Sequence, residues 1–175
     1  MIERPLEGEH HPFYAGYIAL VTEPDLRGVL EAQPAELQTL TAAVPAERET
    51  HRYEDGKWSV REVVGHVTDV ERVFGYRALC ISRLDETQLP GFDENDYVAN
   101  SNYADTPLKG LVTEFASLRT GNLAMLGRLD AERLQQVGNA NGSEISVRAL
   151  AFILAGHFRH HVGILRDRYG VPASE

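Results

Sequence analysis

Hydrophobic residues recur at helical spacing in four segments of the chain, and no segment shows a convincing strand-type alternation. The first segment runs from about Asp25 to Val44. It contains Pro34, which predicts a kink or a break because proline lacks a backbone N–H group. The second segment begins at Ser59, which forms the S-x-x-E pattern of a capping box with Glu62. This segment should end near Asp85.

The third segment has a start signal of a different kind. Thr106 is placed as the N-cap and Pro107 at the first helical position, where its missing N–H group costs nothing, and the helix should end before Gly138. It follows a long connection, Glu86 to Asp105, and long ordered loops often carry function. We expect this connection to cover one end of the structure as a lid.

The fourth segment starts near Ser146 and runs to Tyr169, where Gly170 and Pro172 should stop it. Four helices of about five turns each predict an all-α protein, a four-helix bundle. At 175 residues the chain fits a single domain, residues 1–175, that can bury a core without disulfides.

The charge balance narrows the classes of partner. The chain carries 17 lysine and arginine residues against 26 aspartate and glutamate residues, a formal net charge of -9, which repels phosphate backbones. We therefore expect no nucleic-acid partner. No apolar run reaches the roughly 20 residues that span a bilayer, and the N-terminus lacks a secretory pattern, so a soluble cytoplasmic protein without a membrane partner is expected. The single cysteine, Cys80, is expected to be a buried small hydrophobe.

Two histidines of the fourth segment lie four residues apart and face its apolar side. A projection at about 100° per residue places His157 and His161 with Leu150, Ile153 and Leu154, and places Arg148, Arg159 and Arg166 on the opposite, solvent-facing side. His160 projects away from the centre of the apolar arc and is assigned to its boundary. Side chains four apart on a helix can hold one metal ion between them.

His66 of the second segment also projects inward, into the arc of Val63 and Val70. A single inward histidine is usually a hydrogen-bonded core residue. If the three buried imidazoles did not share a metal ion, however, each would need its own polar partners. The set of three therefore favours a metal site with an open coordination position. Core histidines remain the alternative.

Charged residues near His66 offer further candidates. Asp69, one turn later, can act as a general base or accept the free N–H group of a ligating histidine, and it can equally be a solvated helix residue. Arg77 falls inside the apolar arc, which is unusual for an arginine unless it is paired or binds an anion. A buried ion pair of Arg77 with Glu71 or Asp69 is the simplest interpretation.

These residues carry a resemblance to a known family. The run Lys57 to His66, the following Asp69 and Glu71, and the run Gly156 to His161 resemble the DinB/YfiT-like superfamily of four-helix-bundle metalloproteins. The resemblance covers about residues 14–169. It implies metal ligands at His66, His157 and His161, in agreement with the helical projections.

The resemblance also implies a class of activity. Members bind a divalent metal ion, commonly zinc or nickel, and are often described as metal-dependent hydrolases; some are S-transferases that use low-molecular-weight thiols. The expected partner is thus a small-molecule substrate or a thiol, and a homodimer is expected because relatives include dimers. A bound metal would lower the pKa of a water or a thiol at its open position, with Asp69 as the proton acceptor for hydrolysis.

Two interpretations without catalysis stay open. The bundle can be a metal-binding or sensing module in which the ion stabilises the fold, or a plain bundle whose histidines are core residues. The sequence does not decide between hydrolysis, thiol transfer and these alternatives.

Overall fold

The chain folds as a four-helix bundle with a small hairpin, and the computed structural model describes residues 1–171. In chain order the elements are α1 (Ala15–Ala19), α2 (Leu26–Ala42), α3 (Val60–Ser82), α4 (Glu94–Ala99), α5 (Leu108–Leu126), α6 (Ala131–Leu134), β1 (Val137–Ala140), β2 (Ser143–Ser146) and α7 (Val147–Tyr169). Single 3₁₀ turns cover Pro12–Tyr14, Ala46–Arg48 and Tyr103–Asp105. The four long helices α2, α3, α5 and α7 confirm the predicted all-α bundle.

The order of the helices around the bundle differs from their order along the chain. Helix α3 packs on α5 and α7, and α2 packs on the same two helices. The consecutive helices α2 and α3 are therefore diagonal to each other. Helix α3 and helix α7 form the most extensive pair, which brings His66 and the C-terminal histidines onto adjacent elements.

Local signals set the start of α3 and both ends of α7 as predicted. The Ser59 hydroxyl accepts from the Glu62 backbone N–H group, and the Glu62 carboxylate accepts from the Ser59 N–H group, completing the capping box of α3. Ser146 caps α7, and Gly170 follows the last turn at φ +64°, a conformation that glycine adopts without strain. Pro172 lies outside the described residues.

Pro34 does not break α2, contrary to one of the two outcomes expected. The helix continues through it, although the carbonyl of Leu30, four residues earlier, receives no N–H group from the proline ring. The Arg119 side chain on α5 supplies the missing donor, at 3.3 Å from Nη1 to the Leu30 oxygen. A side chain from a neighbouring helix thus substitutes for the backbone bond that the proline removes.

The predicted third helix is shorter than expected. Helix α5 ends at Leu126, and the rest of the segment holds α6 and the hairpin, which the sequence interpretation missed. The predicted N-cap, Thr106, is wrong by one residue, because Pro107 is the N-cap residue and the helix begins at Leu108. The hairpin turn is Asn141-Gly142, with φ of +54° and +74°. The long connection packs against this hairpin, since Leu89 pairs with Ala140.

The N-terminal segment also folds onto the bundle, which the hydrophobic pattern did not predict. Helix α1 packs on α7. Glu9 accepts from the guanidinium of Arg148, at 2.7 Å from Nε, and leaves that arginine 5% exposed. The predicted solvent-facing position of Arg148 is therefore wrong, because a segment far away in the chain covers it.

A polar layer divides the core into two apolar clusters. One cluster is built around Val70, Phe74, Leu150 and Ile153, and the other around residues that include Val63 and Phe158. His66 and Glu71 on α3 lie where the clusters meet. Cys80 is buried in the first cluster, as expected. Within residues 1–171, no helix is long and apolar enough to cross a membrane.

Candidate metal centre

The three histidines singled out in the sequence meet between α3 and α7. Nε2 of His157 lies 3.0 Å from Nε2 of His66 and 3.1 Å from Nε2 of His161. One ring nitrogen from each residue lies within 4.8 Å of the other two. The structure therefore brings all three predicted ligands together, with their donor atoms converging on one point.

The donor set fits a divalent metal ion. Four-coordinate zinc with nitrogen ligands at about 2.0–2.1 Å places neighbouring donors about 3.3 Å apart, close to the separations found here. Hydrogen bonds alone cannot satisfy all three nitrogens. The Nε2 atom of a neutral imidazole has either one lone pair or one N–H group, so it forms one hydrogen bond at a time. His157 Nε2 faces two other Nε2 atoms, so a shared cation satisfies the group better than protons do.

Burial keeps these imidazoles neutral, which is the form that binds a metal. The three residues are 6–8% exposed. Loss of solvent lowers the pKa of His66 to about 4 and the pKa values of His157 and His161 well below the ordinary range, with the neighbouring histidines adding to the effect. Near neutral pH each ring therefore offers a lone pair without first losing a proton.

A glycine directly precedes His66 on α3 and His157 on α7 and permits close packing at both positions. A Cβ atom on Gly156 would lie 1.9 Å from the backbone oxygen of Tyr17, and one on Gly65 would lie 2.2 Å from the Tyr103 ring. These close approaches hold α1 and the Tyr103 turn against the two ligand-bearing helices.

Aromatic rings enclose the histidines. Trp58 packs on His66 with ring centroids 4.7 Å apart, and Tyr17 packs edge-on against His157 at 5.4 Å. The exposed His160 contacts Tyr17 and His161, which agrees with its predicted boundary position. The rings restrict the orientations of the imidazoles and keep water from most of their surface.

A buried ion pair between α5 and α3 lies close to the histidine cluster along the bundle. Arg119 donates two bonds to the Glu71 carboxylate, at 2.8 and 2.9 Å, and both side chains are 1% exposed. Arg119 also donates to Gln33, whose amide nitrogen donates to the carbonyl of Ala155 at 2.9 Å. This connects α2, α3 and α5 to the α7 backbone two residues before His157.

The predicted general base, Asp69, is engaged elsewhere. Its carboxylate accepts a 2.6 Å hydrogen bond from the Tyr103 hydroxyl and lies 3.8 Å from Arg72. Asp69 neither joins the histidine cluster nor lines the cavity beside it. The geometry therefore does not favour its predicted role, and Asp69 as a proton acceptor stays a prediction without structural support.

The expected ion pair of Arg77 with Glu71 or Asp69 is wrong. Glu71 pairs with Arg119 and Asp69 with Tyr103 and Arg72. The Arg77 guanidinium instead donates to the carbonyl of Pro90 at 2.7 Å.

A cavity of about 360 Å³ opens beside the histidines, lined by both His66 and His157. Its walls come from α1 and α3, from the long connection through Phe92 and Glu94, and from the hairpin. The expected lid thus contributes to the cavity. A larger cavity of about 880 Å³ lies between α2 and α5, but no histidine lines it. The candidate metal site therefore adjoins the smaller cavity.

Comparison with known proteins identifies the family. Residues 29–165, more than three quarters of the chain, match the family model described as the DinB superfamily. The chain belongs to the DinB superfamily. This confirms the resemblance that the histidine motifs indicated.

Two similar proteins add context to the DinB assignment. The protein OB0413 of Oceanobacillus iheyensis, named as a candidate metal-dependent hydrolase, is 27% identical over 117 residues; the match spans 65% of this chain and 66% of that protein, just under two thirds. The structure of YfiT from Bacillus subtilis, described as a probable metal-dependent hydrolase with an unusual four-helix bundle topology, superposes with a TM-score of 0.71 at 20% identity. The superposition covers 96% of this chain and 94% of the YfiT chain, and it shows that the two proteins share a fold.

Several residues of this site were not found from the sequence. Tyr17 belongs to an N-terminal segment without clear periodicity, and Glu94 to the long connection, yet both line the cavity. Arg119 lies inside a helix that appeared only as an apolar pattern. The one available signal was the pair of glycines, each directly before a ligand histidine, since conformationally costly glycine inside a helix often marks close packing.

Proposed function

We propose that this DinB-superfamily protein is a metal-dependent hydrolase of a small-molecule substrate, with His66, His157 and His161 as the metal ligands. The observation that carries the proposal is the convergence of three buried Nε2 atoms beside a cavity that His66 and His157 line. A closed structural site would use a fourth protein ligand, whereas three histidines leave a position for water or substrate. The hydrolase description of OB0413 supports the same reaction class.

Zinc or nickel is the proposed ion, because both accept imidazole ligands readily. When bound, a divalent ion supplies Lewis acidity and lowers the pKa of a water molecule towards neutrality. The protein's own contribution is a preorganised set of neutral donors, held by the Gly156 and Gly65 contacts and by the aromatic rings around them.

Glu94 replaces Asp69 as the proposed proton acceptor. It is the one carboxylate among the described residues that line the cavity, and its charge is close enough to Tyr17 to help raise the pKa of that phenol. Burial is the larger cause of the raised Tyr17 pKa, so its hydroxyl stays protonated. We assign Glu94 to proton transfer and Tyr17 to hydrogen-bond donation towards a substrate oxygen.

Thiol transfer is the second candidate reaction, because the same cavity could admit a thiol next to the histidines. Hydrolysis and thiol transfer differ in the nucleophile, so one assay separates them. Zinc-loaded protein is incubated with a panel of nitrophenyl esters and anilides, with and without a small thiol such as cysteine. Turnover without thiol supports hydrolysis. Turnover only with thiol, in which the thiol takes the acyl group as a thioester and nitrophenol or nitroaniline leaves, replaces it with transfer.

Paired variants test the residue assignments in that assay. We predict that Glu94→Gln lowers kcat by about 10²-fold or more, as expected for loss of a general base, while metal content is unchanged. Asp69→Asn is the matched control and should leave kcat within a few-fold. The reverse ranking would return the role to Asp69.

A non-catalytic metal module makes a different prediction. The ion would then be retained, but no substrate in the panel would turn over, and no small molecule would compete for the ion. The homodimer expected from the family is likewise a proposal, to be tested by analytical ultracentrifugation of the loaded protein.

A further inference from the structure

Arg77 is a buried arginine that lines the same cavity without a carboxylate partner. The residue is 3% exposed, and no aspartate or glutamate oxygen within residues 1–171 comes within 4.0 Å of its guanidinium. Its hydrogen bond to Pro90 uses one of five N–H donors, and the Tyr14 side chain also lies beside the guanidinium. Arginine is almost never fully buried unless it is paired. The donors that face the cavity are therefore available to an anion.

Aromatic rings fix the direction of the guanidinium. Its central carbon lies 5.1 Å from the centre of the Phe74 ring and 6.0 Å from that of Phe92. The N–H groups of a guanidinium point outwards in its plane, so contacts with ring faces leave them available as donors. Two parallel N–H groups match the spacing of the two oxygens of a carboxylate.

Arg77 and the histidines lie at two ends of one cavity wall. His66, Val70, Phe74 and Arg77 follow each other on the same face of α3 and all line the cavity. Phe74, which the guanidinium contacts, is eight residues after His66, a rise of about 12 Å along the helix. An extended alkyl chain of the length found in sebacic acid spans that distance.

The charges of the cavity favour an anion although the whole chain is acidic. The lining contains the Arg77 cation, and the metal centre would add two positive charges. Among the described lining residues the opposing carboxylate is Glu94, which is exposed. Arginine keeps its charge even when buried. The site would therefore attract negatively charged groups into an apolar cavity.

We propose that Arg77 binds the carboxylate of the substrate, so that the substrate class is an anionic ester or amide whose carboxylate and hydrolysed bond are separated by roughly the two helical turns of α3 between His66 and Phe74. This inference rests on the proposed function. Arg77 would select the substrate and orient it along α3, with Val70 and Phe74 contacting the apolar part between the two ends.

Metal-binding probes test this without relying on activity. Hydroxamates bind zinc, so the monohydroxamates of adipic, suberic and sebacic acid carry a metal-binding group at one end and a carboxylate at the other. The matched neutral probes have a primary amide in place of the carboxylate. Affinities for zinc-loaded and metal-free protein are measured by isothermal titration calorimetry.

We expect the carboxylate probe of the best length to bind about tenfold more tightly than its amide in the parent, the gain of one charge-assisted pair. Arg77→Gln should remove the preference, and Arg77→Lys should retain part of it, because lysine keeps the charge and loses the planar fork. The control Arg27→Gln alters an exposed arginine of α2 and should keep the full preference. Thermal melting of each variant monitors the fold.

The outcomes separate the two proposals. Zinc-dependent binding of both probes with equal affinity in the parent overturns the Arg77 site and leaves the metal centre intact, whether or not Arg77→Gln folds. An unchanged preference in folded Arg77→Gln also overturns it. Failure of both probes to bind in a zinc-dependent manner overturns the metal centre and the Arg77 proposal with it.

Discussion

The histidines define the chemistry of this protein at the scale of single residues. Their rings meet through Nε2, and burial holds His66, His157 and His161 in the neutral form. Buried neutral histidines have an energetic consequence, because the unfolded chain binds protons more readily than the folded chain does.

The metal-free protein should therefore lose stability as the pH falls. The pKa of His66 is about 4 when folded, against about 6.5 for a free histidine, so its contribution is complete above pH 6.5 and is lost as the pH falls from 6.5 to 4. The other two histidines shift in the same direction. Urea unfolding of chelator-treated protein at a series of pH values measures this.

The control is the His157→Ala, His161→Ala double variant, which should show a smaller loss of unfolding free energy between pH 6.5 and 4. Equal pH dependence in both proteins would mean that the histidines are not held neutral.

Helical projection found these three residues because the direction of a side chain on a regular helix follows from its position alone. It did not find the partners of Asp69 and Arg77. Those depend on the 3₁₀ turn at Tyr103 and on Pro90, which lie in the long connection, where no periodicity fixes the side chains. Helical periodicity thus located the three candidate ligands but not the residues around them.

At the scale of elements, close packing around α7 holds the site together. Gly156 lies against the backbone of α1, and the buried pair of Arg119 and Glu71 joins α5 to α3. The caps of α3 and α7 were predictable because their hydrogen bonds are local. The hairpin was missed although Asn141-Gly142 is a strong two-residue turn signal, because its strands have only four residues each.

Gly156→Ala should destabilise the protein by about 2 kcal/mol or more, since its methyl group would overlap a backbone oxygen that cannot rotate away. Gly163→Ala is the matched control on the same helix. It has open space, and alanine favours helix by about 0.5–1 kcal/mol, so this variant should be as stable as the parent or more so. Urea unfolding at neutral pH compares them. Equal effects of the two substitutions would contradict the role of the close contact between α1 and α7.

Arg119→Met should cost about 3–5 kcal/mol of unfolding free energy, because it leaves the Glu71 carboxylate buried without its partner. Arg72→Met, which removes an exposed ion pair with Glu114, should cost less than about 1 kcal/mol. Denaturant unfolding measures both. A small effect at Arg119 would show that the buried pair does not hold the four helices together.

At the scale of the whole molecule, a polar layer crosses an otherwise apolar bundle. It consists of the histidine cluster and the buried ion pair of Arg119 and Glu71. The bundle and its family were predictable from four periodic segments and two histidine motifs. The folding of the N-terminal segment over α7 was not, because it depends on long-range contacts such as Glu9 with Arg148. The extent of the single domain, residues 1–175, stays a prediction.

The most direct measurement is the metal content of untagged protein by elemental analysis, for the parent, the His157→Ala, His161→Ala double variant and the control His160→Ala. We predict about one divalent ion per chain in the parent and in His160→Ala, and none in the double variant, as expected for a three-histidine site. Retained metal in the folded double variant, or none in the parent after reconstitution, would contradict the metal centre.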